Sequence, residues 1–365
     1  MQNILSNIDD VKNSIIENKL KKLFIVYQEQ TSIINIINII EKLPITMIKY
    51  KDFTSNPCFE DICNAVNTFN TNSCDSIIAI GGGSAIDTAK CVKLFSSLDK
   101  NDYLSNEKYI NNPIPFYAVP ATAGTGSEAT HFAVIYKDNE KISIAHNSIL
   151  PDYAALIPDI LISLPLYQRK CAFLDAFCQS IESWWSVKST EESINYSKKS
   201  IELLLKSYGN YTKGNNNSNY NMLLGANYSG KAINITQTTA PHAFSYKLSS
   251  LFSLPHGYAV AICFPVIWQN MIENIENTID KRGKDYVKSI FNEIASFLNY
   301  NSPSDAVIGF NNILKSLEIS PPSGINNETI TILSSSVNQQ RLVNSPVFFS
   351  KEQICNIYKN IFLNI

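Results

Sequence analysis

The 365-residue chain has no apolar run near the roughly 18 residues of a membrane-spanning helix, so no such helix is expected. It also lacks an excess of positive charge. There are 30 Lys+Arg against 32 Asp+Glu, a formal net charge of -2, which argues against nucleic acid or a membrane surface as partner. No cysteines stand at CxxC spacing. The eight present are scattered through apolar patterns, so free thiols in a reducing, cytoplasmic setting are expected rather than disulfides. The opening segment MQNILSNIDDVKNSIIENKLKK mixes acids with short apolar patches, a pattern expected of neither a signal peptide nor a transit peptide. The ordinary dinucleotide fingerprint GxGxxG is missing, and the chain holds only four histidines.

What is present is globular. With 45% hydrophobic and 17% charged residues the chain is too apolar for disorder, and its length fits two domains. LFIVY (Leu23–Tyr27), TMIKY (Thr46–Tyr50), SIIAI (Ser76–Ile80) and PFYAVP (Pro115–Pro120) read as strands. Helical patterns over Ser32–Lys42, Pro57–Phe69 and Asp87–Phe95 separate them, as in a parallel sheet covered on both faces. Beyond about Asp159 only helical periodicities persist: Tyr167–Val187, Thr190–Tyr208, Ser218–Gln237, Tyr258–Asn274 and Lys284–Leu298. The expected fold is therefore α/β over residues 1–160, with a Rossmann-like parallel sheet, followed by an all-α domain over 161–365. The Asn-rich stretch Asn210–Asn221 reads as a polar loop without chemistry.

Two loops at strand ends carry the first chemical signal. In IIAI-GGGSAIDTAK, Gly81, Gly82 and Gly83 let the backbone approach an anion, and the helix that follows points free N–H groups at it. In VPATAGTGSEAT, hydroxyls of Thr122, Thr125, Ser127 and Thr130 surround Gly124 and Gly126, which suits a pyrophosphate, a ribose or a nicotinamide amide. Asp175 and Gln179 stand at i and i+4 in LDAFCQSIE, on one face of a helix. Two of the four histidines, His242 and His256, follow fourteen residues apart. One carboxylate with two imidazoles suits Fe(II) or Zn(II) with a position open to a substrate oxygen.

Taken together, GGGSAIDTAK, TAGTGSE, the DAxxx-(I)E helix and the H-x13-HG pair resemble the iron-containing alcohol dehydrogenase family over nearly the whole chain. The resemblance implies a cofactor, NADH or NADPH, in the cleft between the two domains, and a metal held by Asp175, His242 and His256 with position 179 as fourth. The family's usual histidine is replaced there by Gln179. Three readings follow: a weaker amide ligand, a site with three protein ligands, or a lost metal. The implied cofactor set is Gln28, Gly81, Gly82, Gly83, Ser84, Asp87, Thr122, Ala123, Thr125, Ser127 and Lys141. Gln28 stands where the family often has an acid facing the adenosine ribose, so a 2′-phosphate is tolerated, while the adjacent Glu29 leaves NADH open.

Within the family, LDAFCQSIESWWSVKSTEES and GKAINITQTTAPHAFSYKLSSLFSLPHG look like the phosphonoacetaldehyde reductase branch, which makes 2-hydroxyethylphosphonate. A phosphonate needs cations and hydroxyls near the metal, and Lys231, Thr238, Lys247 and Arg341 are the candidates. Two alternatives remain: a general alcohol or aldehyde reductase without anionic preference, and a cyclase like dehydroquinate synthase. The expected partner is a small aldehyde, and a homodimer is common in the family.

Overall fold

Alternation along the buried strands decides the first half of the architecture. The computed structural model describes residues 2–138, 140–337 and 339–362. Among these, the strands are β1 (Asn3–Leu5), β2 (Lys22–Tyr27), β3 (Thr46–Tyr50), β4 (Ser76–Gly81), β5 (Phe116–Pro120), β6 (Phe132–Lys137), β7 (Glu140–Ala145) and β8 (Tyr153–Ala155). Six of them form one parallel sheet in the order β1-β8-β5-β4-β2-β3, while β6 and β7 pair as an antiparallel hairpin. Leu23, Ile25 and Tyr27 of β2 face one core, and Phe24 and Val26 face the other. β4 repeats the division, with Ile78 and Ile80 on one side and Ile77 and Ala79 opposite. Helices α1 (Ile8–Glu17) and α2 (Thr31–Ile40) cover the first face, and α3 (Phe59–Thr71) and α4 (Gly83–Phe95) the second.

β2 and β4 are neighbours, but the chain leaves them in opposite directions, β2 toward β3 and β4 toward β5. Their carboxyl ends therefore open a crevice at the point where strand order reverses. Gln28 and the loop Gly81–Gly83 stand at that crevice.

The second half is helical: α5 (Leu166–Trp185), α6 (Glu191–Tyr211), α7 (Asn219–Thr236), α8 (Ala240–Phe252), α9 (His256–Glu273), α10 (Lys284–Phe297), α11 (Pro303–Ser316), α12 (Asn327–Ser336), α13 (Gln339–Leu342) and α14 (Lys351–Phe362). Every residue of α5 from Cys171 to Trp185 is buried, against α6, α7 and α9 among others. No helix among the described residues is long and apolar enough to cross a membrane, and the eight cysteines are free.

Three features differ from the sequence reading. The hairpin β6–β7 and the short strands β1 and β8 were not expected. Nor were α1, the helices α11 to α14, or α8, which carries His242. The Asn-rich stretch also contributes to the packing, since Asn216 and Asn219 accept hydrogen bonds at 3.0 and 3.1 Å from the buried guanidinium of Arg169. A buried charge is tolerated only where its donors are satisfied, which is what these amides do.

Candidate active site

Three helices deliver one cluster. Asp175 comes from α5, His242 from the first turn of α8, and His256 opens α9. Asp175 Oδ1 lies 3.5 Å from His242 Nε2 and 3.9 Å from His256 Nε2. Ligand atoms sharing a metal at bond lengths near 2.1 Å stand roughly 3.4 Å apart, so these residues fit a divalent ion. His242 Nε2 supports the fit, since it is buried and makes no hydrogen bond. Gly257 makes the approach possible. A Cβ there would sit 2.1 Å from the Cys171 carbonyl oxygen and 2.7 Å from the Asp175 Cβ, so only glycine lets α9 start against α5.

Glu182, two turns beyond Asp175 on α5 and fully buried, ties the cluster together. Its Oε1 accepts from the N–H groups of Thr239 and His242 at 3.4 and 3.3 Å and from the Thr239 hydroxyl at 3.1 Å, at the N-terminus of α8. There the free N–H groups and the helix dipole favour an anion. Its Oε2 lies against His242 Nδ1. A carboxylate on Nδ1 sets the tautomer and aims Nε2 at a metal. Burial pulls the His242 pKa down, but Glu182 and Asp175 outweigh it and push it up to about 10. Burial would likewise raise Asp175, yet His242, His256 and Gln179 hold its carboxyl below the usual value.

Gln179 is buried and engaged. Its Oε1 accepts from the Ser229 hydroxyl at 2.9 Å, and its Nε2 donates to Asp175 Oδ1 at 3.3 Å. The amide thus presents a donor, not an oxygen, to the ligand carboxylate.

The cluster opens on the side of His256, whose side chain is 39% exposed. Enclosure in the cleft lowers its pKa, with His242 and Lys141 adding to the effect against Asp175. The Tyr246 ring stacks beside His256, with centroids 6.0 Å apart and planes 9° from parallel. Lys141, on β7, reaches across from the sheet domain to place Nζ 3.4 Å from the Tyr246 ring centroid. Burial lowers the Lys141 pKa and the charge of Arg341 on α13 adds to that, outweighing Tyr246 and Asp87, which raise it. For Tyr246, burial would raise the phenol, but Lys141, His242 and Arg341 outweigh it and lower it.

The two sheet-end loops meet. The Thr122 side chain lies against Gly82 and that of Thr125 against Gly83. Gln28 Oε1 accepts from the Gly82 N–H at 2.8 Å, so its side chain braces the glycine loop. Gly124 touches Ala172 of α5, and Gly126, at φ +60°, meets Gly230 of α7 with no room for a Cβ on either. Ala123 beside them is buried. Asp87 and Ser127 are occupied with each other: the Ser127 hydroxyl donates to Asp87 Oδ1 at 2.7 Å, and Val134 N–H donates to Oδ2 at 3.0 Å. The Ser84 hydroxyl donates to the Ser55 carbonyl. Beneath them Lys90, wholly buried, donates to Ser127 Oγ, Thr130 Oγ1 and the Phe132 carbonyl at 2.9, 2.8 and 2.7 Å.

Comparison with known proteins agrees with this arrangement. Residues 6–158 match the family described as iron-containing alcohol dehydrogenase, and residues 171–362 match the Fe-containing alcohol dehydrogenase family, C-terminal. The chain belongs to the iron-containing alcohol dehydrogenase family. It is 30% identical over 318 residues to the 4-hydroxybutyrate dehydrogenase of Clostridium kluyveri, covering 84% of each chain. It is 26% identical over 294 residues to the phosphonoacetaldehyde reductase of Streptomyces viridochromogenes, covering 77% of this chain and 74% of that one. The fold superposes on the NAD+ complex of sulfoacetaldehyde reductase from Bifidobacterium kashiwanohense with a TM-score of 0.87 at 20% identity, covering 99% and 96%.

In this iron-containing alcohol dehydrogenase family member, the expected substrate residues separate. Arg341 lies within electrostatic reach of Lys141 and Tyr246. Lys231 does not turn to the cluster. Its Nζ sits 5.4 Å from the Tyr228 ring centroid, near Glu128 and Lys199. On α7 it is Ser229 that faces Gln179, and two residues further on the helix has turned roughly 200° away. Lys247 is exposed on α8, one residue past Tyr246. Thr238 is half-buried and offers its carbonyl to Asn344 Nδ2 at 3.3 Å, whereas its neighbour Thr239 joins the Glu182 network. Ser229 and Tyr246 were not singled out from sequence, and Glu182 and Lys90, which close the DAxxx-(I)E and GGGSAIDTAK motifs, were given no role there. For Glu182 a signal exists: an acid two turns beyond Asp175, on the same face of an otherwise apolar helix.

Proposed function

We propose that the chain reduces phosphonoacetaldehyde to 2-hydroxyethylphosphonate, with NADPH or NADH as reductant and Fe(II) or Zn(II) held by Asp175, His242 and His256. The balance is aldehyde, NAD(P)H and a proton to alcohol and NAD(P)+. The observation that carries the reading is the convergence of those three side chains at the mouth of the cleft on the His256 side. When bound, the metal supplies a Lewis acid for the carbonyl oxygen and the nicotinamide supplies the hydride.

The chain's own residues do the positioning. Glu182 holds His242 with Nε2 toward the cluster, and the depressed pKa of His256 keeps its imidazole neutral and able to ligate. Residues 1–160 carry the dinucleotide through the loops at Gly81–Gly83 and Thr122–Ser127, and residues 161–365 carry metal and substrate. Gln28 brings no negative charge to the ribose edge, and Glu29 is paired with Lys51 at 2.5 Å, so the 2′-phosphate of NADPH meets little repulsion. The phosphonate is supported by the similarity to a phosphonoacetaldehyde reductase. The names of three relatives (4-hydroxybutyrate, phosphonoacetaldehyde, sulfoacetaldehyde) all join an acid to a short alcohol or aldehyde.

The test follows NADPH or NADH absorbance with phosphonoacetaldehyde, sulfoacetaldehyde and butanal, with and without Fe(II) or Zn(II). Metal-dependent oxidation that prefers phosphonoacetaldehyde, and that His256→Ala abolishes without loss of NADPH binding, supports the reading. Equal rates with butanal replace it with a general aldehyde reductase.

A further inference from the structure

We infer that Tyr246 is a positioning residue for Lys141: its ring face holds the lysine ammonium in the cleft, where its N–H groups serve the oxygens of the bound dinucleotide. The inference rests on the dinucleotide-dependent reading above and deepens it, by naming what fixes a cofactor residue from the opposite domain.

Local structure brings the two side chains to one place. In β7, Ile142 and Ile144 pack on the core of the sheet domain, so the alternation of a strand turns Lys141 the other way. The hairpin that carries Lys141 is tied to the helix of the glycine loop, through the Val134 N–H donating to Asp87 Oδ2 at 3.0 Å. Tyr246 stands one turn beyond His242 on the same face of α8, and its ring lies beside that of His256 with centroids 6.0 Å apart. Lys141 Nζ sits 3.4 Å from the centroid of the Tyr246 ring. The contact therefore joins the domain of the two small-residue loops to the domain of Asp175, His242 and His256.

This lysine is held differently from the others enclosed in its domain. Lys90 gives its ammonium to three oxygens, with Asp87 at 4.0 Å, and Lys93 is paired with Asp152 at 3.0 Å. Among the described residues no carboxylate or carbonyl oxygen lies within hydrogen-bond distance of Lys141 Nζ, and Tyr246 is the group its ammonium meets. A ring face attracts a cation through its quadrupole, without neutralising it and without using all three N–H donors. A carboxylate in the same place would neutralise the ammonium and repel the phosphates of the dinucleotide. A loose lysine would also have to give up the motion of its four-carbon stem on binding, and a stem already held has less to lose. Tyr246 thus fixes where the charge stands and leaves donors for the ligand.

The test reads the Kd of NADPH and of NADH on the metal-loaded protein, from the fluorescence of the reduced nicotinamide and with no aldehyde present. Affinity is then measured whether or not phosphonoacetaldehyde is a substrate, so failure of the substrate reading and failure of this inference are separable. Tyr246→Phe keeps the ring and is expected to stay within about twofold of the wild type, whereas Tyr246→Leu is expected to weaken binding about 3- to 30-fold. Replacing Tyr246 by increasingly fluorinated phenylalanines keeps the shape while draining the ring face, and the Kd should climb along that series. This series carries the test even where Tyr246→Leu unsettles α8. In a Lys141→Met background the same changes at position 246 should have no further effect, a coupling that a merely structural ring would not show. The inference is overturned by wild-type affinity in a folded Tyr246→Leu, by a Kd indifferent to fluorination, or by losses at position 246 that persist in Lys141→Met.

Discussion

The Ser229 hydroxyl donates to Gln179 Oε1, and this bond turns the amide nitrogen of Gln179 toward Asp175. At the position where the family usually has an imidazole, this chain therefore has a group that steadies the ligand carboxylate. Gln179→Asn would be too short to do so, but Gln179→His places a fourth donor at the cluster. We expect Gln179→His to tighten the metal roughly tenfold or more, read by competition with a chromophoric chelator. Unchanged or weaker binding would mean that position 179 does not border the metal.

Glu182 is the other positioning residue. Glu182→Gln keeps an oxygen for the N-terminus of α8 but removes the charge beside His242 Nδ1. Metal affinity should fall about 10- to 100-fold, as for other carboxylates behind a ligating histidine, with Glu182→Ala losing more. A Co(II) spectrum in each variant separates misplaced His242 from unfolding. Wild-type affinity in both variants would rule out the orienting role.

A pH dependence follows from His242. In the metal-free protein its pKa is raised to about 10, against about 6.5 in an unfolded chain. The stabilisation is fully present below the unfolded value and is lost as pH rises through about 10, so the metal-free protein should melt at lower temperature at pH 10 than at pH 7. Metal must displace that proton, so apparent affinity should rise about tenfold per pH unit in the same window, with close to one proton released. Calorimetry in two buffers of different ionisation enthalpy measures the release. Uptake without release would show that His242 is already neutral.

Lys90 underpins the hydroxyl loop. It is wholly buried and burial lowers its pKa to about 8, yet three oxygens accept from it. Lys90→Met leaves those oxygens and Asp87 without their cation, which should cost about 3–5 kcal/mol in urea unfolding. NADPH binding should weaken with it, since Ser127 and Thr130 hold the loop. A loss below about 1 kcal/mol would mean the loop does not depend on Lys90.

The strands that frame the crevice were legible because both faces of a parallel sheet are covered. LFIVY and IIAI appear as unbroken apolar runs, and each leads directly into a residue of the candidate site, Gln28 and Gly81. Helix α8 was not legible. TTAPHAFSYKLSS is short, rich in hydroxyls and carries Pro241, and what holds it is tertiary: Glu182 at its start and the Tyr358 hydroxyl donating to the Phe244 carbonyl at 2.8 Å. Strands β1 and β8, three residues each, are too short for any periodicity to register.

By itself the sequence determined the four strands β2–β5 with the helices between them, the helical character of the second half, the two small-residue loops at strand ends, and an acid and two histidines in one order. These follow from local patterns whose period is set by the backbone. Only the tertiary structure decided which neighbours each side chain meets. Helical phase turned Lys231 away from the cluster, and inter-domain packing brought Lys141 to Tyr246 across more than a hundred residues. The direction of the Gln179 amide depended on Ser229, fifty residues on. Such pairings are settled by how buried faces close on one another, and no local period records that.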